Sequence, residues 1–124
     1  MNYKITDSQL EKAVEKYLKT QFPPIMAVRF NIDRVPCKKW DPKRRMTIVP
    51  WYQQKQIYVL FPVENLEGGD AFDQVKRAKQ DMEMSVSNFF GFTVDSDEDY
   101  DCSEWRIKIV PYDVDNQRES EYIF

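Results

Sequence analysis

Two short stretches of the sequence gather the side chains that could do chemistry. Cys37 to Met46, "CKKWDPKRRM", sets Lys38, Lys39, Lys43, Arg44 and Arg45 around Trp40 and a single acid, Asp41. Cationic side chains neutralise phosphates and an indole stacks on bases, so this composition could serve a nucleic-acid grip. Asp95 to Glu104, "DSDEDYDCSE", carries Asp95, Asp97, Glu98, Asp99, Asp101 and Glu104 without a cation. Acids at alternate positions are what a calcium loop uses, because a hard cation takes oxygen ligands.

Neither stretch completes its motif. Counted from Asp95, the sixth position of a calcium loop is Tyr100, where glycine is needed for the sharp turn. The twelfth is Arg106, where a bidentate glutamate belongs. No metal site is therefore expected, with an irregular divalent-cation loop left open; a solvated acidic loop or a surface facing a basic partner fits better. Pro36 and Pro42 restrict the basic stretch to a loop, in a chain of net charge −3 whose far field repels a polyanion. No helix-turn-helix, RNP-like or GXXG signature accompanies it. A solvated hairpin loop is expected, with a protein-contact site as one alternative and nucleic-acid binding through Lys38, Lys39, Trp40, Lys43, Arg44 and Arg45 as the other.

Other chemistries fail for want of parts. The chain has no histidine, which removes Ser–His–Asp and Cys–His catalysis and the usual proton shuttle near neutral pH. Cys37 and Cys102 fall in no CxxC spacing, so structural zinc is excluded and two ordinary reduced thiols are expected, with a disulfide across the fold as the lesser alternative. Asp41 and Lys43 have the spacing of a carboxylate nuclease but lack a second acid on the preceding strand. Three glycines leave little material for a phosphate-cradling loop, and Gly68-Gly69 reads as a connector. The chain is expected to be no enzyme and to need no cofactor.

The elements that carry these stretches follow from periodicity. In "ITDSQLEKAVEKYLKT", Thr6 and Gln9 form a capping box, and Ile5 and Leu10 a hydrophobic staple. Leu10, Ala13, Val14, Tyr17 and Leu18 then recur on one helical face, and Pro23-Pro24 ends the helix. In "IMAVRFNIDRV", Met26, Val28, Phe30 and Ile32 alternate with smaller or polar residues, a strand with one buried face. "MTIVPWY" is a second strand, in which Pro50 points to an edge position or a bulge. "QQK" turns into Ile57–Val63, a strand apolar on both faces and therefore central. Asp70 caps a second helix with Phe72, Val75, Met82, Val86, Phe89 and Phe90 as its stripe, and Gly91 stops it. "FTV" and "WRIKIVPY" add strands, the latter with Trp105, Ile107 and Ile109 facing one way. Residues 115–124 form a polar tail whose Tyr122, Ile123 and Phe124 dock back or engage a partner.

The expected fold is α+β, a two-layer sandwich of two helices on a mostly antiparallel sheet of four or five strands, in the order α-β-β-β-α-β(-β), with the three consecutive strands as a meander. At 124 residues it is one domain spanning 1–124. No apolar run suits a membrane and "MNYKITDSQL" lacks the core of a secretion signal. The opening "KITDSQLEKAVEKYLKTQF", with "FFGF" after the second helix, resembles small uncharacterised proteins of large tailed bacteriophages that begin with an "IT-x-x-Q-L" helix. The element order is also similar to that of phage tail-completion proteins. The resemblance implies a virion or the host cytoplasm as location, and it brings no catalytic or binding residues.

The aromatic share of 15% and the segregated charge point to a non-catalytic protein-interaction module, a virion or assembly component or a small accessory factor. Its partners would be other protein subunits, viral or host, with oligomerisation among the options. Trp51, Tyr52, Tyr58, Tyr122 and Phe124 are the candidate anchors, and Asp97, Asp99 and Asp101 the candidate acidic contacts. A host-protein inhibitor acting through that acidic surface is a further alternative.

Overall fold

In a computed structural model that describes residues 6–64, 66, 69–92, 94–95 and 103–124, helix α1 spans Asp7–Gln21. The capping box forms: Thr6 N donates to Gln9 Oε1 at 3.0 Å, and Gln9 N donates to Thr6 Oγ1 at 3.2 Å. Two of the helix's orphan donors are satisfied in this way. The staple involves Ile5, which lies outside the described residues. Val14 and Leu18 are fully buried, with Leu10 and Tyr17 packed beside them. Ala13 is exposed, so the buried stripe is narrower than the sequence suggests.

The strands are β1 (Ala27–Pro36), β2 (Lys39–Asp41), β3 (Met46–Ile48) and β4 (Trp51–Val63). Helix α2 (Gly69–Phe90) follows, then β5 (Val94–Asp95), β6 (Trp105–Asp113) and β7 (Arg118–Glu119). The class is α+β, as expected. The main sheet runs β1-β4-β6-β5, with β7 also on β6, and β2 and β3 form a small sheet of their own. The three-strand meander is corrected. After β1 the chain makes the β2–β3 hairpin and returns, so β4 pairs antiparallel with β1 from Ala27↔Leu60 to Pro36↔Trp51. Helix α2 then carries the chain back along the sheet, and β6 enters parallel to β4 from Lys55↔Trp105 to Val63↔Asp113. A parallel neighbour needs such a crossover.

The central position of Ile57–Val63 therefore holds, but "QQK" is no turn: Gln53, Gln54 and Lys55 lie within β4. Pro50 lies between β3 and β4, where its carbonyl accepts the Cys37 N–H at 2.9 Å. It marks the base of the hairpin and not an edge of the main sheet. That edge is β1.

One face of the sheet meets both helices. Ile57 and Val59 of β4 with Trp105, Ile107 and Ile109 of β6 pack in one cluster with Val14 and Leu18 of α1 and Val75, Met82 and Val86 of α2. Phe92 stacks between Phe90 and Trp105, at centroid distances of 5.5 and 4.7 Å. Lys55 Nζ lies 5.0 Å over the Trp105 ring and 2.9 Å from Asp7 Oδ1, tying the start of α1 to the sheet. Asp70 falls in the first turn of α2 rather than ahead of it, where its charge still favours the helix dipole. Phe72 and Phe89 are exposed, although Phe89 stacks on Tyr17 at 4.3 Å. Gly91, at φ 75°, takes the left-handed conformation that ends α2 and donates to Ser87 O at 2.9 Å.

The tail docks on the outer edge of β6. Phe124 exchanges both backbone bonds with Ile109, at 2.8 and 2.9 Å, and Ser120 N donates to Pro111 O at 2.8 Å. Asp113, fully buried, shapes the turn before β7: its carboxylate accepts from Asn116 N at 3.1 Å and Asn116 Nδ2 at 2.7 Å. The Asn116 side-chain bond holds the Asp113 carboxyl below its ordinary value of 3.8, against the opposing effect of burial. Cys37 is buried and disulfide-bonded, which corrects the expectation of free thiols. The one other cysteine in the sequence, Cys102, lies outside the described residues.

Candidate functional site

Side-chain alternation decides what the face turned away from the helices presents. It carries Arg29 and Asn31 from β1, Tyr58 and Leu60 from β4, and Lys108 and Val110 from β6. Along β4 the polar side chains of this face form a continuous ladder. Tyr52 OH donates to Ser103 O at 2.9 Å, and Gln54 Nε2 donates to Tyr52 OH at 3.1 Å. Gln56 Nε2 donates to Gln54 Oε1 at 3.4 Å, and Tyr58 OH donates to Gln56 Oε1 at 3.0 Å. Both glutamines are buried, and such a bonded polar row holds the strand in one register.

Beyond Tyr58 the face becomes a groove of about 310 Å³, floored by Tyr58, Leu60 and Val110 and flanked by Arg29 and Glu119. Arg29 Nη2 on β1 lies 3.5 Å from Glu119 Oε1 on β7, spanning β4 and β6, so the sheet is concave here. Lys108 Nζ lies 5.6 Å from the centre of the Tyr58 ring.

The outer side of β1 borders this groove. Among the described residues no strand pairs with it on that side, over a strand of 10 residues. Met26, just before it, and Ile32, within it, are 47% and 56% exposed. The N–H and C=O groups of an open edge form a template for another extended chain. Arg29, Asn31 and Ile32 are absent from the anchors expected from sequence. The alternation in "AVRFNIDRV" put Arg29 and Asn31 on a wet face and Met26 and Ile32 on a buried one. The latter placement is corrected, because the helices do not reach the outer edge of β1 and both side chains stay exposed there.

The expected anchors do not form one surface. Tyr52 and Tyr58 lie on the open face, half-buried and bonded through their hydroxyls. Trp51 is 56% exposed but its position places it on the opposite face of β4. Tyr122 and Phe124 belong to the far edge, where Phe124 contacts the Phe72 ring at 5.3 Å and Tyr122 remains 71% exposed. Asp97, Asp99 and Asp101 lie outside the described residues, and with them the acidic surface of the inhibitor alternative.

The basic stretch is a hairpin with its own two-stranded sheet, in which Trp40 pairs with Thr47. Lys38, Lys39, Lys43, Arg44 and Arg45 are exposed. The Asp41 carboxylate is turned inward, accepting from Lys43 N at 3.0 Å and Arg44 N at 3.4 Å. Among the described residues, no group of three or more acids or cysteines gathers to hold a metal ion, and no helix is long and apolar enough to cross a membrane. Comparison with models of known protein families gives no match, and comparison with curated proteins gives none either.

Proposed function

We propose that the chain is a non-catalytic protein-interaction module that accepts an extended segment of a partner subunit along the open edge of β1. The observation that carries this reading is the 10-residue edge strand, paired with β4 on one side and with nothing described on the other. Its backing adds weight: β4 is fixed by β6 and by the tyrosine–glutamine ladder, so the template is organised before the partner arrives. Natural edges carry charges that reject indiscriminate pairing, and Arg29, Asp33 and Arg34 do so here. The assignment to a phage virion, or to an accessory factor of infection, rests on the resemblance of the first helix and the element order.

Proline at two successive positions tests the edge, because neighbouring N–H groups of a strand point to opposite sides. Of Asn31→Pro and Ile32→Pro, one breaks a bond to β4 and lowers stability, and the other points outward and leaves stability nearly unchanged. The protein sedimented from its native source is expected in a large complex, and the outward proline is expected to release it. A free wild-type monomer, or a complex indifferent to both prolines, refutes the reading.

A second reading has its own observation, the 64% exposure of Trp40 among the five cations of the hairpin. It treats the hairpin as a single-strand nucleic-acid grip. Gel shift with a single-stranded oligonucleotide should then weaken steeply with salt and vanish when Lys39, Lys43 and Arg44 become glutamate. A flat titration at low salt removes it.

A further inference from the structure

We infer that the segment received by β1 is β1 of a second copy of this chain, paired antiparallel about a twofold axis at Asn31. The inference rests on the open-edge reading above and names the partner. A twofold interface must be self-complementary, each residue meeting a partner drawn from the same short list. Pairing β1 with itself about Asn31 sets Arg29 opposite Asp33, Phe30 opposite Ile32, and Ala27 opposite Val35. Met26 falls opposite Pro36 at each end.

The chemistry agrees face by face. Arg29 and Asp33 project from the open face, so the axis generates two cross-strand ion pairs of opposite sign. Arg29 is available for this, because its ion-pair partner among the described residues, Glu119, is 3.5 Å away and both side chains are largely solvated. Phe30 and Ile32 project from the other face, and the helices leave Ile32 56% exposed. Each copy's Ile32 would be covered by the other's Phe30. Asn31 meets Asn31, whose amide is both donor and acceptor and so can bond to its own copy. Three matches are imperfect. Val28 meets Arg34, where the arginine's aliphatic stem supplies the contact, and Pro36 opposite Met26 has no N–H to give. Asp33 Oδ1 already accepts from Arg34 N at 2.9 Å, so Arg29 of the other copy must share that carboxylate through its second oxygen. The result is one sheet continuous through both copies, with both open edges consumed.

Charge exchange tests this on the purified chain by sedimentation equilibrium across protein concentration. The wild type is expected to dimerise reversibly. Asp33→Arg sets two arginine pairs across the axis and Arg29→Asp two aspartate pairs, and each should weaken the dimer by about tenfold or more. The double variant Arg29→Asp with Asp33→Arg restores opposite signs and should restore the dimer. Both positions are exposed, so thermal melts should stay near wild type. A monomer at every concentration overturns the proposal, as does a dimer indifferent to either single exchange or a double variant that fails to recover. If the purified chain is monomeric while the outward proline still releases the native complex, the edge accepts a foreign strand and only self-pairing falls. If neither proline has any effect, both readings fall.

Discussion

The two faces of β6 should respond to mutation in opposite ways, and the pair Ile109→Ala and Val110→Ala measures this. Ile109 is fully buried between the sheet and α2, whereas Val110 is half-buried in the floor of the open groove. Truncating Ile109 removes three carbons, a transfer loss of about 2.4 kcal/mol at roughly 0.8 per methylene. The cavity left under α2 adds to this, giving about 3–4 kcal/mol in the middle of the range for such changes. Val110 loses two carbons at partial exposure, about 0.8 kcal/mol, with no closed cavity. For a chain of this size the first should lower the melting temperature by about 10–15 °C and the second by about 2–4 °C. Urea denaturation followed by tryptophan fluorescence checks both, because Trp105 lies in the same core. Equal losses at the two sites would refute the assignment of one face to the core and the other to a groove. A loss at Ile109 below about 1 kcal/mol would refute the packing argument itself.

Three more outcomes are expected. The depressed Asp113 carboxyl contributes stability that is fully present above its ordinary value of 3.8 and is lost as pH falls through the lower folded value. Asp113→Asn should therefore flatten the acid limb of a stability-against-pH curve, and an unchanged limb would count against the Asn116 bond as its cause. Reducing the Cys37 disulfide should cost about 2–4 kcal/mol in urea titrations with and without a phosphine reductant. Ser103 Oγ is buried without a hydrogen-bond partner, so Ser103→Ala should leave stability equal or raise it by about 1 kcal/mol.

Local signals were the legible part of this chain. Thr6 and Gln9 announce the start of α1 because a capping box is made by residues three apart, and Gly91 announces the end of α2 for a similar reason. The continuous apolar run of β4 marked it as central, since a strand covered on both edges and one face has few polar positions to offer. What escaped was pairing. A period of two says which face a residue takes but not which strand lies beside it, so the parallel union of β4 with β6 was invisible. Pro50 misled because a proline marks an interrupted ladder, and the interruption here is the foot of a hairpin. The candidate site was legible only in pieces. Tyr58 was singled out, but Arg29 and Glu119 lie far apart in sequence and meet only because the sheet curves.

The crossover through α2 also governs how the molecule comes into being. β4 cannot be completed by anything nearby in the chain, since its parallel neighbour emerges only after the whole second helix. Closing so large a loop before any sheet contact is made slows folding. During that interval the oiliest ribbon of the protein stands with one flank bare, at risk of joining the same ribbon of a neighbouring nascent chain. Yield on overexpression should therefore depend on temperature and crowding more steeply than the finished molecule's stability would suggest.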